Sequence, residues 1–157
     1  MQTTTLKSRM PNPVFVTDGA LEALQALAAT THDAGISDAL LELLNLRVSQ
    51  INGCSVCVDL HSRSLERIGE SRERIAAAGA WHHSPAFTDA ERAALTLAES
   101  LTRLADKPDP VPDEIWDEAA RHYDEQALSA LVLSIASINV WNRLNVAVGQ
   151  VVGEWAG

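Results

Sequence analysis

The chain has 157 residues, enough to bury roughly 70% of the surface its unfolded form exposes, so one core needs no staple. Apolar residues make up 46% and the formal charge is -9, which excludes a nucleic-acid binder, because phosphate recognition requires clustered Lys and Arg. MQTTTLKSRMPNP has no signal-peptide run and no stretch approaches the roughly 20 apolar residues that span a bilayer. The reading is a cytoplasmic protein without membrane contact, in a compartment where a Cys-x-x-Cys serves redox chemistry or metal binding rather than stapling a fold.

Residues 1–16 contain Pro11 and Pro13 and no periodicity; they read as an extended N-terminal arm able to pack across a neighbouring subunit, with 17–157 as a single helical domain. From Asp18 to His32, Leu21, Leu24, Leu27 and Ala28 recur at helical spacing, with Thr17 or Asp18 as N-cap and Gly35 as the stop. Ser37 caps a second helix running to Ile51, whose stripe is Ile36, Leu40, Leu43, Leu44, Val48 and Ile51. Arg47 interrupts that stripe. Glu42 falls opposite it with Asp38, Asn45 and Ser49, the placement of a solvated glutamate. Asn52-Gly53 breaks the pattern, since both residues tolerate the left-handed backbone of a turn, and a third helix runs from Cys54 to Gly69.

SRERIAAAG, from Ser71, predicts a short helix closed by Gly79, and WHHSPAF a loop. Thr88 and Glu91 form a capping box before an amphipathic helix that carries Ala90, Ala93, Ala94, Leu97, Ala98, Leu101 and Leu104 on one face. DKPDPVP is a rigid turn, Asp113 to Tyr123 another short helix, and Asp124 opens a long final one. That last helix is apolar around most of its circumference, which places it at the centre of the core or in an oligomer interface. No segment alternates with period 2, so the fold class is all-α.

Both cysteines lie in one motif. A step of about 100° per residue puts Cys54, Cys57, Val58, His61, Leu65 and Ile68 on one core-facing side of the third helix, and Asp59, Ser62, Arg63, Glu66 and Arg67 on the other. Two cysteines at this spacing can close a disulfide, and the unpaired N–H groups of a helix start favour a thiolate. His61, one turn beyond Cys57, is placed to take its proton if something orients the imidazole. Glu42 is the candidate. A continuous helix would hold Glu42 and His61 about 30 Å apart, whereas a reversal at Asn52-Gly53 brings them to similar heights on adjacent antiparallel helices.

Two other readings use the same residues. Cys54, Cys57, His61 and Glu42 could ligate zinc, although the chain has no second Cys or His pair at ligand spacing and His82 and His83 are adjacent in a loop. The dithiol could also switch an oligomer interface without catalysis.

The spacing of Glu42, Cys54, Cys57 and His61, together with LRVSQINGCSVCVDLHSRSLERIGE, AWHHSPAFTDAERAALTLAESLT and INVWNRLNVA, resembles the alkylhydroperoxidase D (AhpD) group of the carboxymuconolactone decarboxylase superfamily, in its peroxidase-related branch. The resemblance covers residues 36–148. It implies an all-helical AhpD-like domain assembled as a trimer or hexamer, and a thiol peroxidase that reduces organic hydroperoxides at the expense of a dithiol reductant protein, without a metal or cofactor. It also implies that Cys57 attacks the peroxide, Cys54 resolves the sulfenic acid and meets the reductant, His61 relays the proton and Glu42 orients it. The better-studied peroxidases of the group carry a second histidine immediately before the second cysteine, where this chain has Val56. The decarboxylase branch lacks the paired cysteines, so lactone decarboxylation is not expected. Small apolar residues near the motif suit a compact alkyl peroxide.

Overall fold

The computed structural model describes residues 5–154. Among these, seven α-helices and three short 3-10 segments account for the regular structure, and there is no strand. The α-helices are α1 (Ala20–Ala29), α2 (Asp38–Asn52), α3 (Ser55–Arg67), α4 (Arg72–Ala77), α5 (Asp89–Thr102), α6 (Asp113–His122) and α7 (Glu125–Val148). Local chemistry sets most of the boundaries. Ser37 accepts the Leu40 N–H, Thr88 and Glu91 form the capping box, and Asp124 accepts the Ala127 N–H. The start of α1 differs from expectation. Gly19, left-handed, takes the N-cap position without a side-chain bond, because Thr17 is drawn into the preceding turn, its N–H bonded to Pro13 O at 3.0 Å.

α2 packs against α3, α5 and α7 at once. Its predicted stripe describes one side only: Leu41 and Leu46 lie outside it and are buried, because the helix is enclosed from several directions. The same enclosure buries Ser49 completely and turns Glu42 and Asn45 inward, while Asp38 remains exposed. Arg47, which broke the stripe, is accounted for by a part-buried ion pair. Its Nε donates to Glu99 Oε1 at 2.7 Å, and the Trp81 indole donates to the same oxygen at 2.8 Å. Burial pushes the Glu99 carboxyl up, but the bonds from Trp81 and Arg47 outweigh it and hold it below its usual value. Trp81 reaches this position because Ala78–His83, expected as the end of a short helix closed by Gly79 and the start of a loop at Trp81, folds into 3-10 turns kinked at Ala80.

Against the expectation that no stretch approaches membrane-spanning length, α7 is long and apolar enough to cross a membrane by length and composition alone, and half of that stretch is buried within the fold. Its buried surface is partly polar. Ser134, Ser137, Asn139, Asn142 and Asn145 face inward, while Val140 and Val146 are exposed. Asn142 Nδ2 donates to Ser49 Oγ at 3.0 Å, and Asn52 Nδ2 donates to Asn139 Oδ1 and Asn142 Oδ1 at 3.0 and 2.9 Å. These bonds pin the C-terminal end of α2, and the turn after it, to α7. The segment before α1 lies along the C-terminal end of α7 in the same chain: Arg9 N–H donates to Val148 O at 2.8 Å, and Asn12 caps a 3-10 turn over Pro13–Phe15.

Candidate active site

The chain reverses at Gly53, which takes φ 67°, a backbone that only glycine adopts without penalty. Cys54 N–H returns to Ser49 O at 3.0 Å and Gly53 N–H to Gln50 O at 3.4 Å, the paired bonds of a Schellman motif. α2 and α3 therefore run antiparallel, and Glu42 and His61 meet: Glu42 Oε2 lies 2.8 Å from His61 Nδ1. An Nδ1–H donated to this carboxylate leaves the lone pair on Nε2, the tautomer a proton acceptor needs.

Cys54 sits at the N-cap of α3, where its sulfur accepts the Cys57 N–H at 3.3 Å. The two sulfurs are at disulfide-bonding distance, with Cα atoms 5.3 Å apart. Both are buried, Cys54 to 1% exposure and Cys57 to 4%. The predicted face of α3 holds for Cys54, Cys57, His61 and Leu65, but Ile68 is half exposed at the rim of a cleft.

That cleft, of about 740 Å³, is walled by α1, α2, α3 and α7, and Cys57, His61 and Glu42 line it whereas Cys54 does not. Its volume lies in the range of sites for drug-sized molecules, and Leu21, Leu41, Ile138 and Trp141 make much of the wall apolar. It is larger than a compact alkyl peroxide requires. His82 and His83 lie elsewhere, with His82 stacked on Trp81 at 3.8 Å between ring centroids. Among the described residues, no three His, Cys, Asp or Glu side chains converge on one metal position.

Reading the sequence missed two side chains. Asn145 Nδ2 donates to Cys57 Sγ at 3.2 Å, and Asn12 Nδ2 donates to Asn145 Oδ1 at 2.8 Å. The available signal was the spacing of Ser134, Ile138, Trp141 and Asn145, which share the face of α7 that lines the cleft.

Comparison with known proteins places this architecture. The carboxymuconolactone decarboxylase family model matches residues 18–100. YdfG, an uncharacterised protein of Bacillus subtilis (strain 168), is 40% identical over 120 residues, 76% of this chain and 80% of its own. A protein of unknown function from Agrobacterium tumefaciens, assigned to antioxidant defence as an AhpD, superposes with a TM-score of 0.86 at 29% identity, covering 93% of this chain and 98% of that one. The debrominase Bmp8, of which a cysteine-to-alanine variant is known in complex with 2,3,4-tribromopyrrole, superposes with a TM-score of 0.75 at 27% identity over 87% of this chain and 72% of that one. With a family model spanning more than half its length and the fold shared almost end to end with an AhpD-like protein, the chain belongs to the carboxymuconolactone decarboxylase family, as an AhpD-like member.

Proposed function

We propose that this protein is a thiol-dependent peroxidase for organic hydroperoxides. The observation that carries the reading is the 2.8 Å Glu42–His61 bond in the cleft that Cys57 also lines. It puts an oriented imidazole one helical turn from a cysteine whose partner is within bonding reach. In the first half-cycle the Cys57 thiolate attacks the peroxide. An S–O bond forms, the O–O bond breaks, and the leaving alkoxide takes a proton relayed by His61 to become an alcohol. Cys54 then attacks the sulfenic acid, forming the Cys54–Cys57 disulfide and releasing water. An external dithiol restores both thiols by exchange, so that one hydroperoxide and one dithiol become one alcohol, one water and one disulfide.

The size and apolar lining of the cleft favour bulky hydroperoxides over hydrogen peroxide. A protein dithiol reaches Cys54 only when the turn around Gly53 opens, because that sulfur is buried. The cycle needs no metal and suits a reducing compartment such as the cytoplasm, and the apolar residues exposed beside the cleft, Leu60 and Ile68 among them, fit assembly with further copies of the chain.

The test is consumption of cumene hydroperoxide by the reduced protein, with dithiothreitol or dihydrolipoamide as donor. Turnover that disappears in Cys57→Ser supports the cycle, and a wild-type rate in that variant removes it. Oxidation that changes assembly while turnover stays undetectable leaves the redox-switch reading instead. A second reading follows from Bmp8: the same two electrons could replace a ring bromine by hydrogen, releasing bromide as the disulfide forms, and the aromatic Trp141 and Phe15 of the cleft favour it. Bromide release from a brominated pyrrole, without hydroperoxide turnover, decides for it.

A further inference from the structure

Asn12, Asn145 and Cys57 are joined by a hydrogen-bond relay that has a direction. The Val14 N–H donates to Asn12 Oδ1 at 3.1 Å, Asn12 Nδ2 donates to Asn145 Oδ1 at 2.8 Å, and Asn145 Nδ2 donates to Cys57 Sγ at 3.2 Å. A backbone N–H can only donate, so it holds the Asn12 oxygen toward Val14 and the Asn12 NH2 toward Asn145. That in turn holds the Asn145 oxygen away from the sulfur and its NH2 onto it. Asn12 is 1% exposed and Asn145 4%, so bulk water does not compete for these groups.

We infer that Asn145 is a catalytic residue that stabilises the Cys57 thiolate, and that Asn12, from the segment before α1, is the positioning residue that aims it. A disulfide sulfur is a weak acceptor and a thiolate a charged, strong one, so the contact gains strength as charge appears on Cys57. In the peroxide step it raises the share of the nucleophilic form. In the reductive step, the donor's sulfur bonds to Cys54, the S–S bond breaks, and the electron pair stays on Cys57 as a thiolate that accepts the Asn145 N–H, after which the donor's second thiol frees Cys54. A stabilised leaving thiolate leaves faster. Each sulfur thus has its own donor. Cys54 takes the backbone N–H inherent to a helix N-cap, at 3.3 Å, whereas the donor for Cys57 is brought from 88 residues away and held by a residue 133 positions from it.

The inference rests on the proposed cycle for its use of a Cys57 thiolate, but its test needs no peroxide. In a Cys54→Ser background, where serine still caps α3, the pH dependence of Cys57 alkylation by iodoacetamide reads thiolate formation directly. Asn145→Leu is expected to move the alkylation midpoint up by about one pH unit, lowering the rate about tenfold below both midpoints. Asn12→Leu, which does not touch the sulfur and adds no charge, is expected to move it in the same direction by less. Midpoints within about 0.2 unit of the parent in folded Asn145→Leu overturn the inference, and a shift in Asn145→Leu alone overturns the part given to Asn12. Should either variant not fold, the side-chain amide resonances of Asn145 in the Cys54→Ser protein decide. They titrate with Cys57 if the bond carries charge, and a flat response overturns the assignment. A shifted midpoint without hydroperoxide turnover keeps this inference and sinks the peroxidase reading.

Discussion

Replacing Glu42 with Gln removes one negative charge and keeps the side-chain volume. Glu42 Oε2 lies 2.8 Å from His61 Nδ1, which puts the charge centres about 4 Å apart once the imidazole takes a proton, and unit charges at that separation interact by about 4 kcal/mol at an effective dielectric near 20. The Glu42 side chain keeps 26% of its surface in solvent, so screening leaves about 2 kcal/mol of this in the proton-transfer step. That corresponds to a loss of about 30-fold in rate. The assay is the initial rate of cumene hydroperoxide loss with excess dithiothreitol, giving kcat/KM, with far-UV circular dichroism and Tm as controls for folding. In a His61→Ala background the same substitution is expected to cost little more, because the carboxylate acts through the imidazole. A kcat/KM within twofold of wild type in folded Glu42→Gln refutes the reasoning and leaves the ion pair a packing feature.

Gly53→Ala meets no atom within 4 Å but must adopt φ 67°, so chemical denaturation is expected to show a loss of about 1 kcal/mol, with Gly53→Asn losing less. Glu99→Ala removes the acceptor of the Arg47 Nε and of the Trp81 indole, leaving Arg47 its bond to Gly79 O, and is expected to cost about 2 kcal/mol in the same measurement. Glu91 and Glu99 are both held below the usual 4.5. Burial pushes each up, and hydrogen bonds from Arg74 to Glu91, and from Trp81 and Arg47 to Glu99, outweigh it. Their contribution is present above pH 4.5 and disappears as pH falls through the depressed values, so Tm is expected to drop more steeply below about pH 4 in wild type than in an Arg74→Met variant. Tyr123 is the single tyrosine, and burial, with the Glu91 charge added, pushes its phenol up to about 12. Ultraviolet titration should find it neutral past pH 10, and the stability this provides is lost as pH rises through the folded value.

The elements themselves were legible because their signals are local. The capping box at Thr88 and Glu91, the caps at Ser37 and Asp124 and the Asn52-Gly53 turn are each set by residues within one helical turn, and each stands where its residues indicate. Helical arithmetic also put Cys54, Cys57 and His61 on a common buried face. It went wrong at Thr17 and Asp18, where a neighbouring 3-10 turn competes for the backbone, and at Ile68, where the face runs out to the cleft rim.

What the sequence determined by itself is the pair of thiols at a helix start and the histidine one turn on, because spacing along one helix converts directly into geometry. What only the tertiary structure decided is which polar groups reach them. On α2, periodicity left Glu42 on a face that reads as solvated, and enclosure by α3, α5 and α7 is what brings its carboxylate onto His61. Spacing along α7 puts Asn145 on the cleft-lining face but does not name its partner, and Asn12 carries no local signal. Their partners lie 88 and 133 residues away, and a side-chain amide acquires a direction, donor toward sulfur and acceptor away from it, only when packing supplies both neighbours at once.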